Sequence, residues 1–176
     1  MRLAWFERGE AAADRVLELN PESVAGLFWK TTNMASGADM KGWASSLWMF
    51  PTLKANMEKI GEMDPYYDYG AVERFWSEVL CRVPLWLAGR FGESVEEVVG
   101  DLEAQIEREP RAFDNHVYVA RLYYKMEEEE KALDHLEYVL SHEPDEMPDR
   151  RASNEAQVPV ARELWQEITG HEYPQR

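Results

Sequence analysis

Four histidines and one cysteine are the residues of this chain that could carry chemistry beyond binding: His116, His135, His142, His171 and Cys81. A catalytic zinc would need histidines one helical turn apart or a dense ligand cluster, and none of the four has that spacing. His135 and Glu137, two apart, point to different faces of a helix. A nucleophilic cysteine would need a positioned base, and Cys81 has no such neighbour in sequence, so it reads as a small buried hydrophobe. The run Glu127-Glu128-Glu129-Glu130 reads as a solvated helix start favoured by the helix dipole. No glycine-rich phosphate loop is present. These residues point to a chain with no catalytic residues, no metal site and no cofactor.

The groups left to do work are aromatic. The chain holds seven Trp, eight Tyr and six Phe in 176 residues. They must be positioned by helices, because apolar residues recur at three- and four-residue spacing and no segment alternates as a strand would. Arg111 to Pro144 is the clearest unit: Phe113, Val117, Ala120 and Tyr123/Tyr124 mark one amphipathic helix, and Ala132, Leu136, Val139 and Leu140 a second. Pro110 and Pro144 stand 34 residues apart, the period of a tetratricopeptide repeat. Asn20-Pro21, Asp64-Pro65 and Glu109-Pro110 close three earlier segments in the same way. Their prolines are 44 and 45 residues apart, which predicts a repeat plus an insertion in the turn between its helices.

Taken in order, a helix over Leu3 to Leu19 lacks a preceding partner, so an upstream helix is expected beyond this chain. A second helix begins near Ser23 and stops near Gly37-Ala38-Asp39. An apolar stripe follows through Trp43, Leu47, Trp48, Phe50, Leu53, Met57 and Ile60, with Pro51 predicted to kink or split it. A third run covers Ala71 to Pro84, and an irregular loop Leu85 to Gly92. Ser94 and Glu97 form a capping box. Asn154 with Gln157 offers a weaker cap for a last helix through Val158, Ala161, Leu164, Trp165 and Ile168. The expectation is an all-α stack of degenerate tetratricopeptide repeats in one domain over residues 1–176, with about eight helices, loop or helix insertions and a C-terminal capping helix. Counting back from each proline places Ala13, Met57, Leu102 and Leu136 in the core at the eighth position. Val16, Ile60, Gln105 and Val139 follow at the fifth, Gln105 being the polar exception.

The charge excludes one class of partner. Acidic residues outnumber basic ones by 15, and no basic cluster exceeds Arg150-Arg151, so nucleic acid is not a main partner. No stretch is long and apolar enough for a transmembrane helix, and the first residues lack the core of a signal peptide. In a repeat stack the first helices line a concave groove. The groove-facing residues are predicted to be Phe28, Trp29 and Thr32; Tyr69, Glu73 and Trp76; and Asp114, Tyr118, Arg121 and Tyr124. For any single aromatic, core filling is the competing reading.

Several phrases, in order, resemble the T-component family of tripartite ATP-independent periplasmic (TRAP) transporters. They are Leu19-Asn20-Pro21 with Gly26-Leu27-Phe28-Trp29; Leu53-Lys54-Ala55 through Met57-Glu58-Lys59-Ile60 to Asp64-Pro65-Tyr66; Tyr69-Gly70 to Arg74-Phe75; and Asn154-Glu155 to Ala161-Arg162-Glu163-Leu164. Ala71 stands where that family's pattern has a glycine. The resemblance implies a non-enzymatic protein that engages a periplasmic substrate-binding protein, or an apolar small ligand, through the groove. It implies a periplasmic location if an export signal lies upstream, and a cytoplasmic one otherwise. A tetratricopeptide scaffold binding a peptide inside the cell is the alternative, and self-association is left open.

Overall fold

The computed structural model describes residues 2–84, 86 and 93–174, and among these it is built of eight α-helices and no strand. The all-α expectation is met. The chain divides into two compact units, residues 1–67 and 68–176.

The first unit is three antiparallel helices: α1 (Arg2–Leu19), α2 (Val24–Lys41) and α3 (Trp43–Met63). Ser23 caps α2 by accepting from the Gly26 N–H at 3.0 Å. Gly9 and Gly26 let α1 and α2 approach closely. A Cβ at Gly9 would lie 2.3 Å from the Asn33 side chain, and one at Gly26 3.0 Å from Val16. Ala13, Leu27, Met34, Leu53, Met57 and Ile60 are buried.

One expectation fails here and a second is narrowed. The predicted insertion is not a loop: α2 runs past Gly37, whose bare Cα packs near Leu3 and Phe6, to Lys41. Gly42 alone, at φ 106°, joins it to α3, so the extra residues lengthen both helices. Of the kink or split expected at Pro51, the split is absent, since α3 continues through it. Pro51 is exposed, so the Leu47 carbonyl that it deprives of a partner can be hydrated. The Trp43 side chain lies outside the described residues.

The second unit contains α4 (Ala71–Arg82), α5 (Val95–Arg108), α6 (Phe113–Lys125), α7 (Glu129–Ser141) and α8 (Arg151–Thr169). Helix α6 is central and packs against the other four. Phe113, Val117, Val119, Ala120 and Leu122 on α6 are fully buried, with Leu80, Leu102, Leu136 and Ala161 around them. The Ser94–Glu97 capping box is present. Glu129 and Glu130 occupy the first turn of α7, after Glu127 turns the chain at φ 64°. The predicted loop over 85–92 falls outside the described residues except for Trp86.

The proline register holds at seven of its eight positions, and Val16, 43% exposed, is the exception. Gln105 is buried as the register requires, and its amide donates to Glu73 at 3.0 Å. Asn154 is not a cap. It lies inside α8, fully buried, where it accepts from the Phe113 N–H at 3.1 Å and donates to the carbonyls of Arg111 and Pro144.

Candidate partner-binding face

The turn that starts the second unit has three consecutive residues at positive φ: Asp68 (50°), Tyr69 (59°) and Gly70 (112°). Glycine tolerates this region, whereas a tyrosine is strained there and needs surrounding contacts to stay. Arg74 supplies them, donating to the Asp68 carbonyl at 2.8 Å, to its carboxylate at 2.5 Å and to the Tyr69 carbonyl at 3.3 Å. Asn115 on α6 donates to the same Tyr69 carbonyl at 2.7 Å. Arg150, buried ahead of α8, bonds the other Asp68 oxygen at 2.5 Å and also pairs with Asp114, to which Ser153 donates. The Arg150 guanidinium lies 5.3 Å from the centre of the Tyr69 ring, and Tyr69 Oη donates to Asp149 at 3.0 Å. Burying these guanidinium and carboxylate groups is tolerable because each charge is paired and hydrogen-bonded.

This clasp corrects part of the predicted groove. Asp114 is buried and committed to Arg150, so it faces no partner. Trp76, at 4% exposure, is core. The buried arc of α4 comprises Ala71, Arg74, Trp76, Ser77 and Leu80, wider than the stripe its apolar residues alone describe. Glu73 is half-buried and turned inward to Gln105. Its carboxyl pKa is raised, chiefly by burial, and its second oxygen has no hydrogen-bond partner among the described residues. Tyr69 is held in the clasp.

Three predicted residues do share a face. Tyr118, Arg121 and Tyr124 lie along α6, each half-exposed. Arg121 donates to Glu78 of α4 at 2.8 Å, and its guanidinium sits 5.7 Å from the Tyr118 ring centre, within cation–π range. Burial raises the Tyr118 phenol pKa, so it stays protonated. The face is stitched at both ends. Ser77 Oγ donates to the Tyr118 carbonyl at 3.0 Å, and Lys125 Nζ donates to the carbonyls of Leu80, Cys81 and Val83. Lys125 thus satisfies carbonyls that the end of α4 leaves without helical partners. Burial also raises the Cys81 thiol pKa, which disfavours the reactive thiolate.

Phe28, Trp29 and Thr32 belong to the first unit. Trp29 is 57% exposed, Thr32 is half-buried, and Phe28 packs edge-on to Trp29 at 5.4 Å and against Tyr67 at 5.2 Å. A cavity of about 80 Å³ lies among α1, α2 and α3, walled by Leu3, Phe6, Met34, Ala38 and Met49.

The sequence reading missed a row of buried polar groups across α5, α6 and α7. His116 Nδ1 meets His135 Nδ1 at 3.1 Å, and His135 Nε2 meets Glu103 Oε1 at 3.0 Å. Tyr123 donates to that carboxylate at 2.9 Å, and burial, with this hydrogen bond adding to it, raises its phenol to about 12. His116 also stacks on Tyr138 at 4.2 Å, and Tyr138 on His142 at 4.0 Å. The available signal was position: His116 adjoins Val117 on the apolar stripe of α6, and His135 adjoins Leu136 on that of α7. Among the described residues no three His, Cys, Asp or Glu side chains are grouped to hold a metal ion. No described helix is long and apolar enough to cross a membrane.

The family described as TRAP transporter T-component matches residues 6–169, and the chain belongs to that family. Among curated proteins, none matches it significantly. The family is an accessory component of TRAP transporters, and its resemblance phrases now have structural roles. Tyr69, Gly70 and Arg74 build the clasp, while Asn154 ties α8 to the start of α6.

Proposed function

We propose that the chain is a non-catalytic adaptor of a TRAP transporter whose α4–α6 face captures a protein partner, with the transporter's periplasmic substrate-binding protein as that partner. The observation that carries this reading is Arg121, held half-exposed between Glu78 and the Tyr118 ring with Tyr124 one turn on. Arginine and tyrosine supply much of the binding energy at protein interfaces, and here both are pre-positioned, which lowers the entropy lost on docking. In this reading the α6–α7 hairpin is the tetratricopeptide-like unit presenting the face.

The cavity among α1, α2 and α3 leaves little room for an apolar small molecule. The cavity of about 80 Å³ in the first unit is well below the ~300–1,000 Å³ of ordinary ligand pockets. The test is capture of the binding protein encoded beside this chain, measured by calorimetry. Arg121→Ala with Tyr124→Ala weakens it at least tenfold, about 1.4 kcal/mol. Unchanged affinity in that double variant removes the reading.

A further inference from the structure

The face of α4 and α6 differs in charge from the chain around it. Net charge is −15, yet no Asp or Glu stands between Glu78 and Glu93 or between Asp114 and Glu127. Arg121 shares its carboxylate: Arg82 bonds one Glu78 oxygen at 2.7 Å and Arg121 the other at 2.8 Å. Glu78 thus divides one negative charge between two guanidiniums and leaves Arg121 partly uncompensated. Lys125 adds a further cation, set against the carbonyls of Leu80, Cys81 and Val83 rather than against a carboxylate. Acids of the neighbouring α5 are engaged elsewhere, Glu103 with Tyr123 and His135, and Asp101 acting on Glu73.

Arg121 also has donors to spare. Its Nη1 bonds Glu78, while Nη2 and Nε have no acceptor among the described residues. Together these two nitrogens form an edge of the guanidinium that fits a carboxylate with two parallel hydrogen bonds. Glu78 and the Tyr118 ring, 5.7 Å away, hold the guanidinium in place, and Tyr124 follows on the same helix.

We infer that this face takes an acidic segment of a protein, one Asp or Glu of which sits on the Nε and Nη2 edge of Arg121. The inference rests on the reading of the α4–α6 face as the partner-binding one, and gives that partner its chemistry. A broad polyanion, such as nucleic acid or a phospholipid surface, would press many charges against the acidic remainder of the chain. A segment with one or two carboxylates meets the patch alone. Because exposed charges are screened beyond ~8–10 Å at physiological salt, the distant acids do not bar it. Contacts of this kind fix register and exclude wrong partners more than they add affinity. Glu78 is the resident competitor: it keeps Arg121 in position in the free chain and must share it with the incoming carboxylate.

The test follows the Arg121 Nε–H and the ring resonances of Tyr118 and Tyr124 in the full chain. The probes are a peptide Gly-Asp-Glu-Asp-Gly with blocked ends and its amide counterpart Gly-Asn-Gln-Asn-Gly. The expected result is a saturable shift with the acidic peptide, binding at least threefold weaker with the amide one, and loss of the tyrosine shifts in Arg121→Gln. Glu78→Gln keeps an oxygen for Arg121 but removes the competing charge, so it should tighten the acidic peptide at least threefold. Absence of binding, equal binding of the two peptides, undiminished binding by Arg121→Gln or no gain in Glu78→Gln each overturns the inference. Should the acidic peptide bind here while Arg121→Ala with Tyr124→Ala leaves capture of the binding protein unchanged, the acidic chemistry stands and the assigned partner falls.

Discussion

His116 and His135 face each other Nδ1 to Nδ1 at 3.1 Å, an arrangement that works only if one of the two nitrogens carries a proton. His116 Nε2 lies 2.9 Å from the Pro110 carbonyl, which can only accept, so Nε2 carries a proton, and burial, which disfavours the doubly protonated ring, leaves Nδ1 bare. His135 Nδ1 is therefore the donor. His135 Nε2 faces Glu103, so a second proton must lie between them, on the imidazole or on the carboxyl. Burial, which disfavours the charged imidazole, thus selects the form of the row with His116 neutral.

Burial, with the His135 charge adding to it, lowers the His116 pKa to about 4. The unfolded chain takes up that proton near pH 6.5 and the folded chain only near 4. Its contribution is thus complete above about 6.5 and is lost as pH falls toward 4, amounting to about 3 kcal/mol. Urea unfolding between pH 7 and 4.5 should show a shallower loss of stability in His116→Gln than in the wild-type chain. Equal slopes would refute this assignment.

Leu136→Ala and Met57→Ala should each destabilise by about 2–5 kcal/mol, since both side chains are buried and neither site can collapse without moving a helix. Val16→Ala, at the one register position that is exposed, should stay within about 0.5 kcal/mol. Chemical denaturation measures all three, and losses below about 1 kcal/mol at both core sites would contradict the packing.

Asn154→Ala leaves the Phe113 N–H and two carbonyls without their buried partner, at a cost of about 2–3 kcal/mol. Asn154→Asp keeps the acceptor for Phe113 but cannot donate to the carbonyls of Arg111 and Pro144, so it should not recover stability. Recovery in thermal unfolding would mean that only the Phe113 bond matters.

Gly70→Ala should destabilise by about 1–3 kcal/mol, because its φ of 112° is strained for any side chain and the new Cβ would lie 3.1 Å from Gln105. Trp76→Ala should lower the melting temperature sharply while leaving the intrinsic affinity for the partner unchanged. Calorimetry below the unfolding transition separates the two effects, and lost affinity in a folded Trp76→Ala protein would return Trp76 to the binding face.

Helix number, the α6–α7 hairpin and most of the core were legible because they follow from periodicity and proline placement, which are local. Proline counting located each residue along its helix but not around it. Trp76 and Tyr124 therefore looked equivalent, although the first is buried and the second half-exposed. Asp114 and Glu73 looked like solvent-facing charges because their partners, Arg150 and Gln105, lie 36 and 32 residues away and share no pattern with them. Asn154 imitated a cap because capping and clasping use the same amide chemistry. The extra residues between Pro21 and Pro65 looked like a loop because glycine often stops helices, yet Gly37 serves close packing and Gly42 makes the stop.

The Asp68 clasp also governs how the second unit comes apart. A linear array of repeats can lose one end while the remainder stays folded, because each repeat touches only its neighbours. Asp68 and Arg150 are 82 residues apart, and the same knot draws in Arg74 and Asn115. Releasing α8 withdraws Arg150 from Asp68 and Asp114 at once, so fraying at the C-terminal end carries a cost at the N-terminal turn of the unit. The second unit should therefore melt in a single cooperative step, with the amides of α4 and α8 exchanging their hydrogens together.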